Sequence, residues 1–467
     1  MGLRGRNMKN HSLKNVSRRQ FIQHSAAVTG TFIVGMHLPI VSEAATATAG
    51  ASAAPALANA WIQITPSNQI TLICARSEMG QDVYTSLPAL LAEELNLPLS
   101  MVKLEIAGVA PVYINTMLGG QITGGSTSVR EAFDKLRTAG AATRSVLIQA
   151  AAQRWNVAAS DCKAFNGKVT HASGRSATYG ELAADAAKLP LPEKPALKPP
   201  ASFMVIGKET MRRLDTPVKV AGKAVYGIDV KIPGMAIASL AQCPVIGGTP
   251  KSYDATAALK VAGVIKVVQI SDGVAVLAKD FYAARKGRDA LKINWDEGQN
   301  VSLSNATVRK SLEAGLSQKG AVIKTVGDVN KPASGGKAIS AKYFLPYLAH
   351  STMEPVNCSA DVSNGKCRII GPIQFQQGGQ AVAAAAAGVK PEDVTIETTF
   401  LGGGFGRKLE LDFIRQAAEI SKAAGMPVKM LWTKEDDITH DFYRPMSIHQ
   451  LDGVLGANGQ LEFIKAK

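Results

Sequence analysis

The stretch Leu401-Gly402-Gly403-Gly404-Phe405-Gly406-Arg407-Lys408 places four glycines in five consecutive positions. Glycine takes positive φ without a Cβ clash, so such a backbone can turn successive N–H groups toward one point. Before it, Val394, Ile396, Thr398 and Phe400 alternate as on one face of a strand. After it, Phe413, Ala417, Ile420 and Ala424 keep helical spacing, and Gly425 and Pro427 close the helix. A strand, a glycine loop and a helix N-terminus together predict an anion site, usually for phosphate. The nucleotide fingerprints do not fit. Arg407 stands where the last glycine of G-x-G-x-x-G belongs, and the G-K-[ST] ending of a P-loop is absent. From the loop alone, a glycine-rich turn without a ligand stays an open alternative.

Other stretches share this character. Trp61 to Ile64 and Ile70 to Cys74 alternate around Pro66-Ser67-Asn68, a hairpin. It leads through Ser77-Glu78-Met79-Gly80-Gln81 to an apolar helix with Val83, Leu87, Leu90 and Leu91, which Pro88 should kink. The Gln81 amide offers a donor and an acceptor to a ligand. A second loop of glycines and hydroxyls, residues 119–128, opens a long helix, with Ser128 and Glu131 at capping-box spacing. Strands are predicted at 236–241, 264–270 and 274–278, with a short helix at 254–260. His350 and Glu354 read as structural residues. Gln374 lies in a loop restrained by Pro372, ahead of an alanine-rich helix at 381–387.

The N-terminus carries an address. Ser17-Arg18-Arg19-Gln20-Phe21-Ile22 follows a basic start and precedes a diluted apolar stretch and a run of small residues. Residues 1–45 are therefore expected to be a twin-arginine export signal, outside the fold, and the mature protein periplasmic. They account for +5 of the net charge of +15. No basic run interleaved with aromatics occurs, so nucleic acid is not an expected partner. No run of 18 apolar residues predicts a transmembrane span. The five cysteines form no C-x-x-C, so neither an iron–sulfur nor a zinc framework is expected, although one disulfide is possible.

Taken as one pattern, Gly402 to Arg407, Asp412-Phe413, Gln416-Ala417-Ala418, Gly425-Met426-Pro427-Val428-Lys429, Trp432-Thr433 and Arg444-Pro445 resemble the molybdopterin-binding domain of the molybdenum hydroxylases. That is the xanthine dehydrogenase and aldehyde oxidase family, here in its isoquinoline-oxidoreductase branch. The resemblance covers nearly all of the chain after residue 55. It implies a mixed α/β (α+β) fold: an N-terminal molybdopterin-binding segment at 56–190, a proline-rich linker at 191–205, an α/β hammerhead domain at 206–298, and the first molybdopterin-binding domain, incomplete at its C-terminus, at 299–467. The cofactor-binding part would then be discontinuous, its early segment folding against a later one.

The resemblance also implies residue roles. Met79, Gly80 and Gln81 correspond to a pterin contact. Thr123, Gly124, Gly125 and Ser126 correspond to a turn that approaches the cofactor, and Gln374 to a glutamine that hydrogen-bonds an oxygen ligand of molybdenum. Gly403, Gly404, Phe405, Gly406 and Arg407 form the loop beside pterin and metal. The cofactor would be molybdopterin with molybdenum, in its cytosine dinucleotide form, held with no protein metal ligand. The family hydroxylates N-heterocycles or oxidises aldehydes, with water as the oxygen source. Electrons would leave through a small subunit with [2Fe–2S] clusters to a c-type cytochrome or quinone. The family's glutamate base matches no residue here, since its place lies beyond Lys467, and the catalytic residue is unassigned. The chain is thus expected to be either a fragment or a truncated product. The alternative is a remnant that binds the cofactor without turnover.

Overall fold

The computed structural model describes residues 32–35, 60–209, 211–328 and 336–467. The twin-arginine motif at 17–22 lies outside them. The chain divides into two compact units. One comprises residues up to Tyr226 together with Ile373–Leu401, the other Gly227–Pro372 together with Gly402–Lys467.

In the first unit, β1 (Phe32–Gly35), β2 (Ala60–Ile64), β3 (Ile70–Cys74) and β4 (Val102–Ile106) form one sheet in that order. The expected hairpin is β2 and β3, paired antiparallel, and β4 joins β3 in parallel. The stretch set aside as a leader thus contributes a strand, β1, antiparallel to β2. Helix α1 (Val83–Leu95) packs on α2 (Ser128–Trp155). The contact is close because Gly140 has no side chain: a Cβ there would lie 2.8 Å from the Leu91 carbonyl oxygen. Ile62, Ile64, Leu72, Leu91, Leu95 and Leu136 form the core between sheet and helices. A small sheet, β5 (Cys162–Phe165), β6 (Lys168–His171) and β7 (Ser176–Thr178), leads into α3 (Tyr179–Ala186), capped by a Thr178–Glu181 box.

The proline-rich linker is held against the first unit. Two buried carboxylates of α1 strap it down. Glu94 takes Arg137 at 2.7 Å and the Lys198 amide at 3.2 Å. Glu93 pairs with the Lys198 ammonium and accepts the N–H groups of Met204, Val205 and Ile206. The first unit therefore continues past residue 205, through a short helix α4 (Thr216–Val220), to Tyr226.

In the second unit, β8 (Ala236–Gln242), β10 (Val264–Ile270) and β11 (Gly273–Ala278) appear where the sequence places strands, while β9 (Thr249–Asp254) pairs with β12 (Lys292–Asp296). Only a short turn at Ala258–Lys260 forms in the stretch expected to be helical. Helices α5 (Phe281–Asp289) and α6 (Asn305–Gly315) follow, then β13 (Lys337–Leu345), β14 (Asn357–Ser363) and β15 (Lys366–Gly371). The chain returns to the first unit for α7 (Gln376–Ala387) and β16 (Val394–Thr398). Back in the second unit come α8 (Asp412–Ala424), β17 (Val428–Leu431), α9 (Lys434–Thr439), β18 (Ser447–Leu455) and β19 (Leu461–Ala466). Strands of the second unit run β10-β11-β8-β17-β14-β15. The parallel pairing of β17 with β8, Val428 opposite Ala236, joins the expected hammerhead strands to strands from the later part of the chain in one sheet. Residues 206–226 fall in the first unit and 227–298 in the second. All five cysteines are buried and free, so the possible disulfide does not form. Among the described residues no helix is long and apolar enough to cross a membrane.

Burial pushes the Glu93 carboxyl up, but Lys198 and the N–H groups of Ile206, Met204 and Val205 outweigh it and hold it below the ordinary 4.5. A depressed folded-state value contributes stability that is present above the unfolded value and is lost as pH falls through the folded one. Glu93→Ala should therefore cost about 3–5 kcal/mol at neutral pH, because it leaves Lys198 unpaired. The gap to wild type should narrow below pH ~4, as read from urea midpoints across pH.

Candidate functional site

In the first unit three distant stretches meet. The Ser77 N–H donates to Thr123 Oγ1 at 2.9 Å, and the Ser77 hydroxyl donates to the Ile373 carbonyl at 2.6 Å. The Thr123 N–H donates to the Gln374 carbonyl at 2.8 Å, and Gln374 Nε2 returns a bond to the Thr123 carbonyl at 2.9 Å. Gln376 Nε2 reaches the Ser77 and Thr398 hydroxyls. Thr123 and Gln374, singled out separately in the sequence, are thus direct partners 251 positions apart. Both glutamine side chains are buried, and among the described residues Oε1 of each has no partner. An unsatisfied buried amide oxygen costs ~1–3 kcal/mol, so these two atoms mark a place that a polar group would satisfy.

Next to Thr123, Gly124, Gly125 and Ser126 form a turn with φ of 59° at Gly125 and 53° at Ser126. Among the described residues their three N–H groups donate no hydrogen bond. The expected capping box does not form. Thr127 occupies the N-cap, and Glu131 turns away to Arg76 at 2.8 Å. A buried guanidinium requires a counterion, and that demand outweighs a cap.

Met79, Gly80 and Gln81 form a self-closed turn. Gln81 Oε1 accepts the Met79 N–H at 2.7 Å, and its Nε2 donates to the Ser77 carbonyl at 2.8 Å. The amide expected to face a ligand is engaged at both ends. The residue the sequence reading passed over is Glu78, fully buried, which accepts the N–H groups of Gly80, Asp82 and Tyr84 at the start of α1. Arg213 lies 3.3 Å and Lys219 3.6 Å from its carboxylate. An acid just before a first helical turn was the available signal.

In the second unit, Glu354 anchors the start of the glycine loop. It accepts the Gly402 N–H at 2.8 Å while its own N–H donates to the Gly402 carbonyl at 2.9 Å. A Cβ at Gly402 would lie 2.4 Å from that of Glu354, so only glycine fits. Glu354 also binds the fully buried Lys408 ammonium at 2.9 Å. Burial pushes Lys408 below the ordinary lysine value, and Glu354 offsets part of that. Arg407, also fully buried, grips Asp412 with two bonds of 2.9 and 2.7 Å, and its Nε lies 3.1 Å from Asp441. The rings of Trp432 and Phe442 flank the guanidinium. Burial acts to lower Arg407, but Asp412 and Asp441 prevail and raise it.

Between these anchors Gly403, Phe405 and Gly406 all take positive φ, of 96°, 52° and 109°. Phe405 is 73% exposed. A non-glycine residue held there stores roughly 1–3 kcal/mol of strain. Among the described residues the N–H groups of Gly403, Gly404, Phe405 and Gly406 donate no hydrogen bond. The expected continuity of loop and helix N-terminus is not observed. A 3-10 turn at Arg407–Leu409 intervenes, and Asp412, the first residue of α8, is bound to Arg407. The anion-attracting groups are the loop's own amides, a nest rather than a helix end. Among the described residues no cluster of histidines, cysteines and carboxylates could hold a metal ion. Arg407→Leu should destabilise the protein by about 3–5 kcal/mol, because Asp412 and Asp441 then lose the cation they share. Arg407→Lys should restore little of that, since an ammonium cannot make the two-point grip on Asp412. Chemical denaturation of the two variants beside wild type provides the measurement.

A family described as molybdopterin cofactor-binding domain matches residues 14–232, and another of the same description matches 316–467. The chain is 31% identical to the beta chain of an isoquinoline 1-oxidoreductase of Brevundimonas diminuta, over 92% of this chain and 61% of that one. It is 30% identical to a membrane-bound aldehyde dehydrogenase [pyrroloquinoline-quinone] of Gluconacetobacter polyoxogenes, over 86% of this chain and 53% of that one. A nicotinate dehydrogenase subunit of Pseudomonas putida is 24% identical, over 86% of this chain and 34% of that one. The chain thus spans less than two thirds of the length of each of these relatives. With matches to the molybdopterin cofactor-binding domain over most of its length, the chain belongs to the molybdopterin-binding family of the molybdenum hydroxylases.

Proposed function

We propose that the chain holds molybdopterin, in its cytosine dinucleotide form, for an oxidoreductase that hydroxylates an N-heterocycle or oxidises an aldehyde. The observation that carries this reading is the run of four unused N–H groups at residues 403–406, opened by three positive φ angles. Such a run suits the phosphate oxygens of a pterin nucleotide. In the second unit Gly403, Gly404, Phe405 and Gly406 supply those donors. Arg407 and Lys408 hold the loop through carboxylates of the protein and so leave the amides for the ligand. The first unit, taken by itself, offers the unused N–H groups of Gly124, Gly125 and Ser126 and the Oε1 of Gln374 to a polar ligand, with Thr123 fixing Gln374. The Met79–Gly80–Gln81 turn offers its surface rather than the Gln81 amide. When bound, molybdenum supplies the two-electron oxidation of a carbon centre with water as the oxygen source. The protein's contribution is orientation, fixed donors and exclusion of competing chemistry.

The names of the relatives support the substrate classes, since two act on N-heterocycles and one on an aldehyde. Two of them are named as subunits, which supports a partner chain. We assign that partner as a small [2Fe–2S] subunit that passes electrons to a c-type cytochrome or quinone. Export by the twin-arginine route to the periplasm completes the reading, on the strength of Ser17-Arg18-Arg19-Gln20-Phe21-Ile22.

The protein purified from molybdate-fed cells should contain about one molybdenum and release a cytosine nucleotide in acid. Recovery of pyrroloquinoline quinone in place of a pterin would overturn the assignment. Gly406→Val should abolish molybdenum retention, because methyl groups would occupy ligand space at a φ that valine does not tolerate. If the loop holds no ligand, the same change costs only strain, about 1–3 kcal/mol, and the metal stays. Replacement of both Arg18 and Arg19 by lysine keeps the charge and should trap the protein in the cytoplasm. Periplasmic recovery of that double variant would refute the export route.

A further inference from the structure

One histidine faces the glycine loop with a nitrogen the structure does not use. His350 donates its backbone N–H to Asp441, and its Nδ1 lies 3.0 Å from Asp441 Oδ1. A carboxylate only accepts, so Nδ1 carries the proton. Asp441 is itself immobilised, with a fully buried side chain beside Arg407 Nε at 3.1 Å and the Phe442 N–H at 2.8 Å. The ring of His350 is thus tied through Asp441 to Arg407, the residue that ends the loop. Its other nitrogen, Nε2, has no hydrogen-bond partner among the described residues. A Cβ built on Gly406 would lie 3.5 Å from that Nε2. The ring therefore borders the space left open by the missing side chain of Gly406, on the loop whose amides are also unused.

We infer that His350 is a ligand-binding residue whose Nε2 hydrogen-bonds an anionic, phosphate-type oxygen seated on the amides of residues 403–406. Asp441 is its positioning partner. The inference rests on the reading of this loop as a molybdopterin cradle and adds a side chain to it. To hydrogen-bond an anionic oxygen, Nε2 must donate, so the bond requires a proton on that nitrogen as well as on Nδ1. The oxygen belongs either to the phosphate of the pterin or to the diphosphate of its nucleotide form, and acid release of a cytosine nucleotide separates the two.

The test uses a pair of variants that divide the two ring nitrogens. In His350→Asn the amide nitrogen can replace Nδ1 against Asp441 but cannot reach the position of Nε2. In His350→Gln the amide nitrogen can reach the Nε2 position. Holo-protein is purified for each, dialysed, and assayed for retained pterin by fluorescence and for retained molybdenum. His350→Asn should lose at least about fivefold in retention, the worth of roughly one hydrogen bond. His350→Gln should stay near wild type. A purely structural histidine reverses the order, because the asparagine keeps the Asp441 contact. Equal retention in the two variants, or better retention in asparagine, overturns the inference. Gly406→Val distinguishes the levels of the argument. If that variant keeps its metal, the cradle itself is refuted. If it loses the metal while His350→Asn does not, only the role of His350 falls.

Discussion

Two cations with no exposure sit side by side at the end of the glycine loop, and the loop's geometry depends on how they are paired. Arg407 and Lys408 would each cost several kcal/mol to bury alone. Asp412, Asp441 and Glu354 make that burial tolerable. Glu354 holds the start of the loop through Gly402 and its end through Lys408, and Arg407 holds the end as well through Asp412. Between two fixed ends the intervening residues keep positive φ angles that a free chain would abandon. The side-chain charges are neutralised inside the protein, so what the loop presents outward is the partial positive charge of its amides. That is a weaker attraction than a lysine at the surface, but one with fixed direction.

The same economy recurs in the first unit. Glu78, Glu93, Glu94 and Glu131 are buried carboxylates satisfied by backbone N–H groups, lysines and arginines. Each organises a local element: the start of α1, the course of the proline-rich segment, the contact of α1 with α2, and the approach to α2. A single carboxylate that accepts three backbone N–H groups does the work that regular structure does elsewhere. It fixes irregular backbone that neither helix nor strand could hold.

What could be read in the sequence was what depends on local period. The hairpin of β2 and β3, the helix over 412–424 and the strands at 236–242, 264–270 and 273–278 each announce themselves within a dozen residues. The loops at 124–126 and 403–406 were legible because glycine reports its own conformational use. Gln374 and Thr123 could be named singly, but nothing short of the fold shows that they bind each other. The errors share a cause. Ser128 with Glu131 has the spacing of a capping box, and Gln81 has the chemistry of a ligand contact, yet distant or neighbouring partners claimed both Glu131 and Gln81. Residues 191–205 have the composition of a linker, but composition does not reveal Glu93 and Glu94. Asp441 stands far in sequence from His350, and only the folded chain brings them together.

The chain passes from one unit to the other after Tyr226, after Pro372 and after Leu401. This has a consequence for the order of events during synthesis. Thr123 leaves the ribosome long before the residue that completes its hydrogen bonds, since Gln374 follows 251 positions later. At the ordinary translation rate of about 5–20 residues per second, that wait is roughly 13–50 s. Throughout it, the turn at Gly124, Gly125 and Ser126 exists without the glutamine loop that braces it. The first unit cannot close until residues 373–401 have been made, and residues 227–372 of the second unit are made before them. A cofactor held by these loops would have to enter after Gln374 has been made, because the turn it would meet is not braced before then.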